Sequence, residues 1–227
     1  MFGPPVETFC FNKRAVYFGQ RRWSRGVTTV IKKIFAPSYK YCRLPRRDSR
    51  KVCTGLPFRK ARRRGILVDS ILEKWALGHK TRCRILEPRA IIRLFESRHW
   101  SPLASQLVVG WREGRIATMI DLVLHDENMD QVLIVEIKTG CEYRNVSTGS
   151  CLTNLGSTTI TDSPLHQHQL QALLGKELFR RTYPNCTKNV QSILVYVSKD
   201  GLLEVLEEKQ FTVVYSEHIS QAILRTA

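Results

Sequence analysis

Acidic residues are nearly missing from the first 64 positions, where Glu7 and Asp48 stand against 18 Lys and Arg. Residues 65–227 hold 18 acids and 18 Lys and Arg, so the whole excess of +16 lies in the first block. A block of that kind repels cationic surfaces. It binds a polyanion, addresses the chain to a compartment, or does both. Long apolar runs are also missing, and none nears the ~20 residues needed to cross a bilayer, so no membrane partner is expected. The opening MFGPPVETFC lacks the charged-then-apolar pattern of a secretory signal. Closely paired cysteines are missing too. The seven, at positions 10, 42, 53, 83, 141, 151 and 186, are odd in number and include no C-x-x-C. That spacing argues against a structural zinc and for free thiols in a reducing compartment.

What the first block does contain is aromatic residues set among the charges: Tyr17, Phe18, Trp23, Phe35, Tyr39, Tyr41 and Phe58. Arg and Lys neutralise phosphates while rings stack on unpaired bases. Residues 1–64 therefore read as a basic N-terminal arm that touches nucleic acid, and residues 65–227 as the folded domain. The run Arg59 to Arg64, with Arg62, Arg63 and Arg64 at its end, reads as a nucleic-acid contact and a nuclear-localisation patch. An acid-poor, Arg-rich start also has the composition of a mitochondrial presequence. The nucleus is the expected compartment, with mitochondrion and cytoplasm as the alternatives.

The domain is organised around Ala117 to Gly140, ATMIDLVLHDENMDQVLIVEIKTG. Ile116–His125 and Val132–Ile137 read as two strands, and Asp126–Gln131 as the polar turn between them. Symmetric closure about that turn sets Asp121 opposite Glu136. Two facing carboxylates repel, and a buried unpaired one is costlier still. A divalent cation between them removes the conflict, and hard carboxylate oxygens suit magnesium or manganese. Lys138, two residues beyond Glu136, projects from the same face, where it can hold a water or a phosphate oxygen.

Asp121 followed, after fourteen intervening residues, by Glu136-Ile137-Lys138 resembles the signature of the PD-(D/E)XK nucleases. The flanking pattern is most similar to the RecB-type and lambda-exonuclease branch. The resemblance implies an α/β fold whose core runs helix, three antiparallel strands, helix, strand, with a mixed sheet flanked by helices. It further implies Mg2+ (or Mn2+) held by Asp121, Glu136 and the carbonyl of Ile137, with Lys138 activating the attacking water. RecB-type relatives open the core with a helix bearing G-x-x-x-H. Here Gly65-Ile-Leu-Val-Asp69 puts Asp69 at the His position, and Asp69, or Glu73 one turn on, is the implied helix ligand, with Asp69 preferred. The helix after the E-x-K strand carries Q-x-x-x-Y in those relatives. Gln171 matches its Gln as a positioning residue, and Gly175 stands where the Tyr would be. Some relatives hold an iron–sulfur cluster on closely spaced C-terminal cysteines. That spacing is missing, so no cluster is expected.

Along the chain, Gly65–Leu77 reads as an amphipathic helix with Val68, Ile71, Leu72 and Trp75 on one stripe, and Pro88–Ser97 as a second helix. His99–Pro102 reads as a turn and Gln106–Arg112 as the first strand. Glu113-Gly114-Arg115 is the next turn, where Arg112 and Arg115 are candidate DNA contacts. Cys141–Thr161 is a long polar loop. Leu165–Tyr183 is a helix stopped by Pro184, and its His166 and His168, two apart, do not make a metal site. Val190–Ser198 and Gln210–Tyr215 read as strands, and Ser216–Leu224 as a closing helix. The expected function is a metal-dependent deoxyribonuclease. Exonuclease action in replication, recombination or repair of DNA is preferred, with a recombination or replication protein as partner. The alternatives are a nucleic-acid-binding or recruitment protein on a degenerate core, and an endonuclease on DNA or RNA.

Overall fold

Three β-rich runs separated by short turns, followed by an amphipathic helix and two more strands, build the sheet that everything else packs on. A computed structural model of the protein describes residues 5, 9–12, 15–18, 21–23, 26–36, 58–80, 84–139, 145, 149–156 and 159–227, with the side chains of 9–23 and 58–61 outside that description. Three short antiparallel strands come first, β1 (Phe9–Asn12), β2 (Ala15–Phe18) and β3 (Arg21–Trp23). Helix α1 (Val27–Val30) runs on into a π turn, Ile31–Phe35. The central elements are α2 (Phe58–Ala76), α3 (Leu86–Ser97), β4 (Trp100–Trp111), β5 (Ile116–Asp126), β6 (Gln131–Thr139), α4 (Pro164–Thr182), β7 (Asn189–Val197) and β8 (Leu203–Glu207). A 3₁₀ turn at Glu208–Gln210 and α5 (Glu217–Leu224) close the chain.

The second sheet has the order β4-β5-β6-β7-β8. β4, β5 and β6 are antiparallel neighbours, β6 and β7 are parallel, and β8 returns antiparallel to β7. A parallel pair needs a crossover, and α4 supplies it. Ser163 caps α4 by accepting the His166 N–H at 3.3 Å, and Pro164 fills the first turn, where no N–H is needed. The protein is thus an α/β fold with a five-stranded mixed sheet flanked by helices on both faces.

Two apolar clusters fill the spaces on either side. Val68 and Leu72 of α2 and Ile91 and Phe95 of α3 pack on Leu122, Leu124, Leu133, Val135, Ile137 and Val195. On the other face Leu170, Leu173, Leu174, Leu178 and Phe179 of α4 pack on Ile120, Val123, Val132 and Ile134. Val27, Val30, Ile31, Ile34 and Phe35 belong to this second cluster. A stretch read as part of a basic arm is therefore core, and its Phe35 is buried rather than offered to a base. Of the other arm aromatics, Tyr39 and Tyr41 lie outside the described residues, as do the side chains of Tyr17, Phe18, Trp23 and Phe58.

Several boundaries differ from the sequence expectation for physical reasons. Helix α2 begins at Phe58, so Gly65 lies inside it and the 64/65 boundary falls mid-helix. Arg, Lys and Ala are strong helix formers, and the run read as a charged patch belongs to the first turns of that helix, with Arg62 and Arg63 exposed. β4 starts at Trp100, within the stretch read as a turn, because His99 takes the left-handed conformation (φ 57°) and completes the turn one residue earlier. Gln210–Tyr215 is not a strand. Phe211 and Val213 are buried in alternation, which is the signal that reads as β. The N–H groups of Thr212 and Val213, however, donate to the Gln169 side-chain oxygen at 3.0 and 3.1 Å instead of to a neighbouring strand. The pairing strand is β8, five residues that fall below the length of a clear period. The polar loop contributes to the core as well: Leu152, Leu155 and Ile160 are buried. Thr153 and Asn154 donate to the Ile34 carbonyl at 2.8 and 2.7 Å, capping the π turn.

One ion pair ties α2 to α3. Arg64 donates through Nε and Nη2 to the two oxygens of Glu87, a carboxylate only 1% exposed. Arg64→Ala leaves that carboxylate buried and unpaired. The expected cost is about 2 kcal/mol, a fall of about 4–8 °C in Tm for a chain of this size, read in a thermal melt. Arg64→Lys is expected to recover only part of it, since an ammonium cannot match the two-pronged geometry.

Candidate functional site

The site begins with an interruption in the sheet. Pairing between β5 and β6 runs from Asp126↔Gln131 to Leu122↔Val135 and stops there, with Asp121 and Glu136 at the next rung. On the other side of β5 the rung between Gln106 and Asp121 is also missing, and Gln106 adopts φ 50°. Strand alternation reverses at this point. Ile116 and Ile120 join the α4-side cluster, then Leu122 and Leu124 join the α2-side cluster while Val123 takes the α4 side. Asp121 thus sits where β5 changes face. Its Oδ2 accepts the N–H of Ile137 at 2.9 Å, replacing the ladder bond that the interruption removes.

On β6, Val132, Ile134, Glu136 and Lys138 share a face by alternation, and Val132 and Ile134 pack toward α4. Helix α4 therefore meets Glu136 and Lys138. Gln171 donates from Nε2 to Glu136 Oε1 at 2.7 Å and accepts from Lys138 Nζ at 3.1 Å, and Lys138 also pairs with Glu136 Oε1. Glu136 is only 9% exposed. From the opposite layer, α2 passes over the end of β6, where Gly65 lies against Thr139: a Cβ at 65 would stand 3.6 Å from its Oγ1. One turn further along α2, Asp69 comes within electrostatic reach of Glu136 and Lys138.

The acids hold one another's charge in check. Burial, then the negative charge of Glu136, push the Asp69 carboxyl up to about 6, and Lys138 pulls the other way. Asp121 is part-exposed yet densely surrounded by protein. Burial first and Glu136 second raise its pKa well above the usual carboxylate range, Lys138 and the Ile137 N–H oppose this, and Asp69 adds to it. A carboxyl raised in the fold contributes stability that is full below its unfolded pKa and is lost as pH rises through its folded one. Without divalent cations the protein is therefore expected to lose stability between about pH 4 and pH 6 through Asp69. The loss is about 1 kcal/mol after solvent screening, or about 2–4 °C. Asp69→Asn is expected to flatten that part of the Tm-against-pH curve, as read in EDTA-treated samples.

The structure thus places Asp69, Asp121, Glu136, Lys138 and Gln171 together on α2, β5, β6 and α4. Ile137 lies between the acid and the lysine, its side chain buried in the α2-side cluster. Among the described residues no three His, Cys, Asp or Glu side chains stand at metal-binding spacing; Glu136 Oε1 is shared by Lys138 and Gln171. Glu73 is exposed, one turn beyond Asp69 on α2. Arg62 and Arg63 are exposed on α2 just before Gly65, beside exposed Ile66 and Leu67. Arg64 is engaged with Glu87. Arg112 and Arg115 are exposed at the β4–β5 turn, roughly 20 Å along the strand from Asp121 at the rise of an extended chain. They are not part of the cluster. Gly114 in that turn is required, since a Cβ there would meet the Trp111 ring at 2.5 Å. Cys151 and Cys186 are free thiols, and the other five cysteine side chains lie outside the description.

Two neighbours of the cluster escape a sequence reading. His168, one turn before Gln171 on α4, is part-buried and feels the charge of Lys138, and Tyr196 on β7 stands beside Lys138 in the parallel register. Spacing along the chain gives no hint that these two meet, because β7 reaches the site only through the crossover. No helix among the described residues is long and apolar enough to cross a membrane. No family model matches the chain, and no curated protein matches it.

Proposed function

We propose that this chain is a metal-dependent deoxyribonuclease built on a PD-(D/E)XK core, hydrolysing phosphodiester bonds in DNA and acting as an exonuclease in replication, recombination or repair. The observation that carries the proposal is the convergence of Asp121, Glu136, Lys138 and Gln171 at the break in the β5–β6 ladder, with Asp69 reaching in from α2. Supporting it is the order of elements α2, α3, β4, β5, β6, α4, β7, in which a helix, three antiparallel strands, a helix and a strand recur with α3 added after α2, and with the acid and the lysine on the strand that leads into the crossover.

The donor set suits a hard divalent cation. Carboxylates from three elements lie within electrostatic reach of one another, though not at metal-binding spacing; burial first and the charge of Glu136 second raise the pKa values of Asp69 and Asp121, and one lysine is their cationic neighbour. Asp69, Asp121, Glu136 and the carbonyl of Ile137 would hold Mg2+ or Mn2+. When bound, the ion supplies Lewis-acid charge at the phosphate and lowers the pKa of a water. The remaining work falls to the chain. Lys138 orients the attacking water and offsets charge gathering on phosphate oxygens. Gln171 fixes Lys138 and Glu136 relative to one another. The Ile137 N–H fixes Asp121. Arg62 and Arg63, exposed on α2 and within two turns of Asp69, would hold the DNA backbone. A replication or recombination protein would be the partner.

The test is cleavage of end-labelled linear DNA with magnesium. Loss of cleavage in EDTA, and faster cleavage of linear DNA than of RNA in magnesium, supports the proposal. Nicking of closed circles at the same rate moves it to an endonuclease.

A further inference from the structure

We propose that His168 and Tyr196 are positioning residues that hold the Lys138 ammonium in one place at the site, an inference that rests on the nuclease reading for its effect on cleavage. A lysine carries its charge on a flexible four-carbon stem, and ordering it requires contacts on more than one side. Glu136 and Gln171 supply two of them. The third side is closed by β7 and the first half of α4. Tyr196 is the register partner of Lys138 across the parallel β6–β7 pair and is 3% exposed. Its hydroxyl lies 3.0 Å from His168 Nδ1, and the two rings are tilted at 45° with centroids 5.9 Å apart. His168 and Gln171, three residues apart, present to the sheet from one face of α4.

Packing alone does not call for this pair. A buried phenol hydrogen-bonded to a part-buried imidazole gains little over a well-packed Phe and Leu, because both polar groups give up water. The imidazole is also the right neighbour for an ammonium only while neutral. Burial holds the His168 pKa well below its usual value, and the charge of Lys138 adds to this. The hydrogen bond between Tyr196 and His168 fixes the ring's rotation, so the Lys138 charge faces a neutral, fixed ring. The site therefore extends one strand further than the carboxylates, onto β7.

The experiment uses the full chain with 15N-labelled lysine side chains, comparing wild type, Tyr196→Phe, His168→Asn and His168→Leu. Tyr196→Phe keeps the ring and removes the hydrogen bond, and Asn keeps a group at the Nδ1 position. Increased mobility of the Lys138 ammonium is expected in Tyr196→Phe and His168→Leu, and recovery in His168→Asn. In cleavage, kcat is expected to fall about tenfold or more in the first two with KM changed less than about twofold. The loss from Tyr196→Phe is expected to disappear in a Lys138→Arg background, because it acts through Lys138. Unchanged Lys138 mobility in Tyr196→Phe overturns the proposal, as does an undiminished loss in the Lys138→Arg background. Increased mobility in a chain whose wild type cleaves nothing upholds the placement of Lys138 and overturns the nuclease reading instead.

Discussion

Asp121→Asn is expected to lower magnesium-dependent cleavage of linear DNA by about 10³-fold or more, without unfolding the protein. The two effects part company because of what surrounds this residue. An Asn oxygen can accept the Ile137 N–H as Asp121 Oδ2 does, so the interrupted ladder keeps its substitute bond. What is lost is the negative charge, and that charge is the part of Asp121 the fold disfavours: burial and the neighbouring Glu136 both raise its pKa. Removing it is expected to leave Tm unchanged or to raise it by about 2–4 °C at neutral pH. A residue kept only for packing or solubility shows the reverse, with stability falling and activity following it. Parallel melting and cleavage measurements on the one variant separate these outcomes.

The second large effect is on stability in the presence of divalent cations. Anything bound by the native state alone stabilises it by mass action, by about 2.7 kcal/mol at a hundredfold excess over Kd. For a chain of this size that is a rise of about 5–10 °C. The sign of its pH dependence follows from the acids. Below about pH 4 Asp69 and Asp121 are protonated and offer nothing to a cation. As pH rises through about 6, where Asp69 ionises, the metal-free protein loses stability while the cation's contribution grows. The difference in Tm between magnesium and EDTA is thus expected to be small at pH 5 and largest near pH 8. It is expected to shrink to within about 2 °C in Asp121→Asn. A magnesium effect that is equal at both pH values, or is undiminished in the variant, points to non-specific binding on the acids of the surface.

Much of the sheet was legible because its strands are long and strongly patterned. Ile116–His125 and Val132–Ile137 were placed within a residue or two, and with them the juxtaposition of Asp121 and Glu136, because the short turn leaves little choice of register. Helix α4 was legible from its leucine stripe and its stop at Pro184. The misses share a cause: long-range packing outranked local pattern. Val27–Phe35 looks like part of a basic arm because its lysines advertise charge, yet its apolar residues are buried against α4. Gln210–Tyr215 alternates as a strand does, but a buried glutamine side chain takes the hydrogen bonds a neighbouring strand would have taken. In the site, Glu136, Lys138 and Asp121 were legible as a motif, since two lie on one strand and the third on its hairpin partner. His168 and Tyr196 were not, because nothing in the spacing of residues 28 apart says that the helix and the next strand bring them within a hydrogen bond. Arg64 was read as a phosphate contact from its place in a basic run, and its partner Glu87 lies on the following helix.

The most direct measurement is a gel assay on linear and circular DNA labelled at the 5′ or the 3′ end, in magnesium, manganese or EDTA, with wild type beside Glu136→Ala and Lys138→Ala. The expected result is degradation of linear DNA alone, supported by magnesium or manganese, abolished by EDTA and by both substitutions, with the first label released giving the direction of digestion. Intact DNA under every condition, or degradation that persists in EDTA or in either variant, contradicts a metal-dependent nuclease site at Asp121, Glu136 and Lys138.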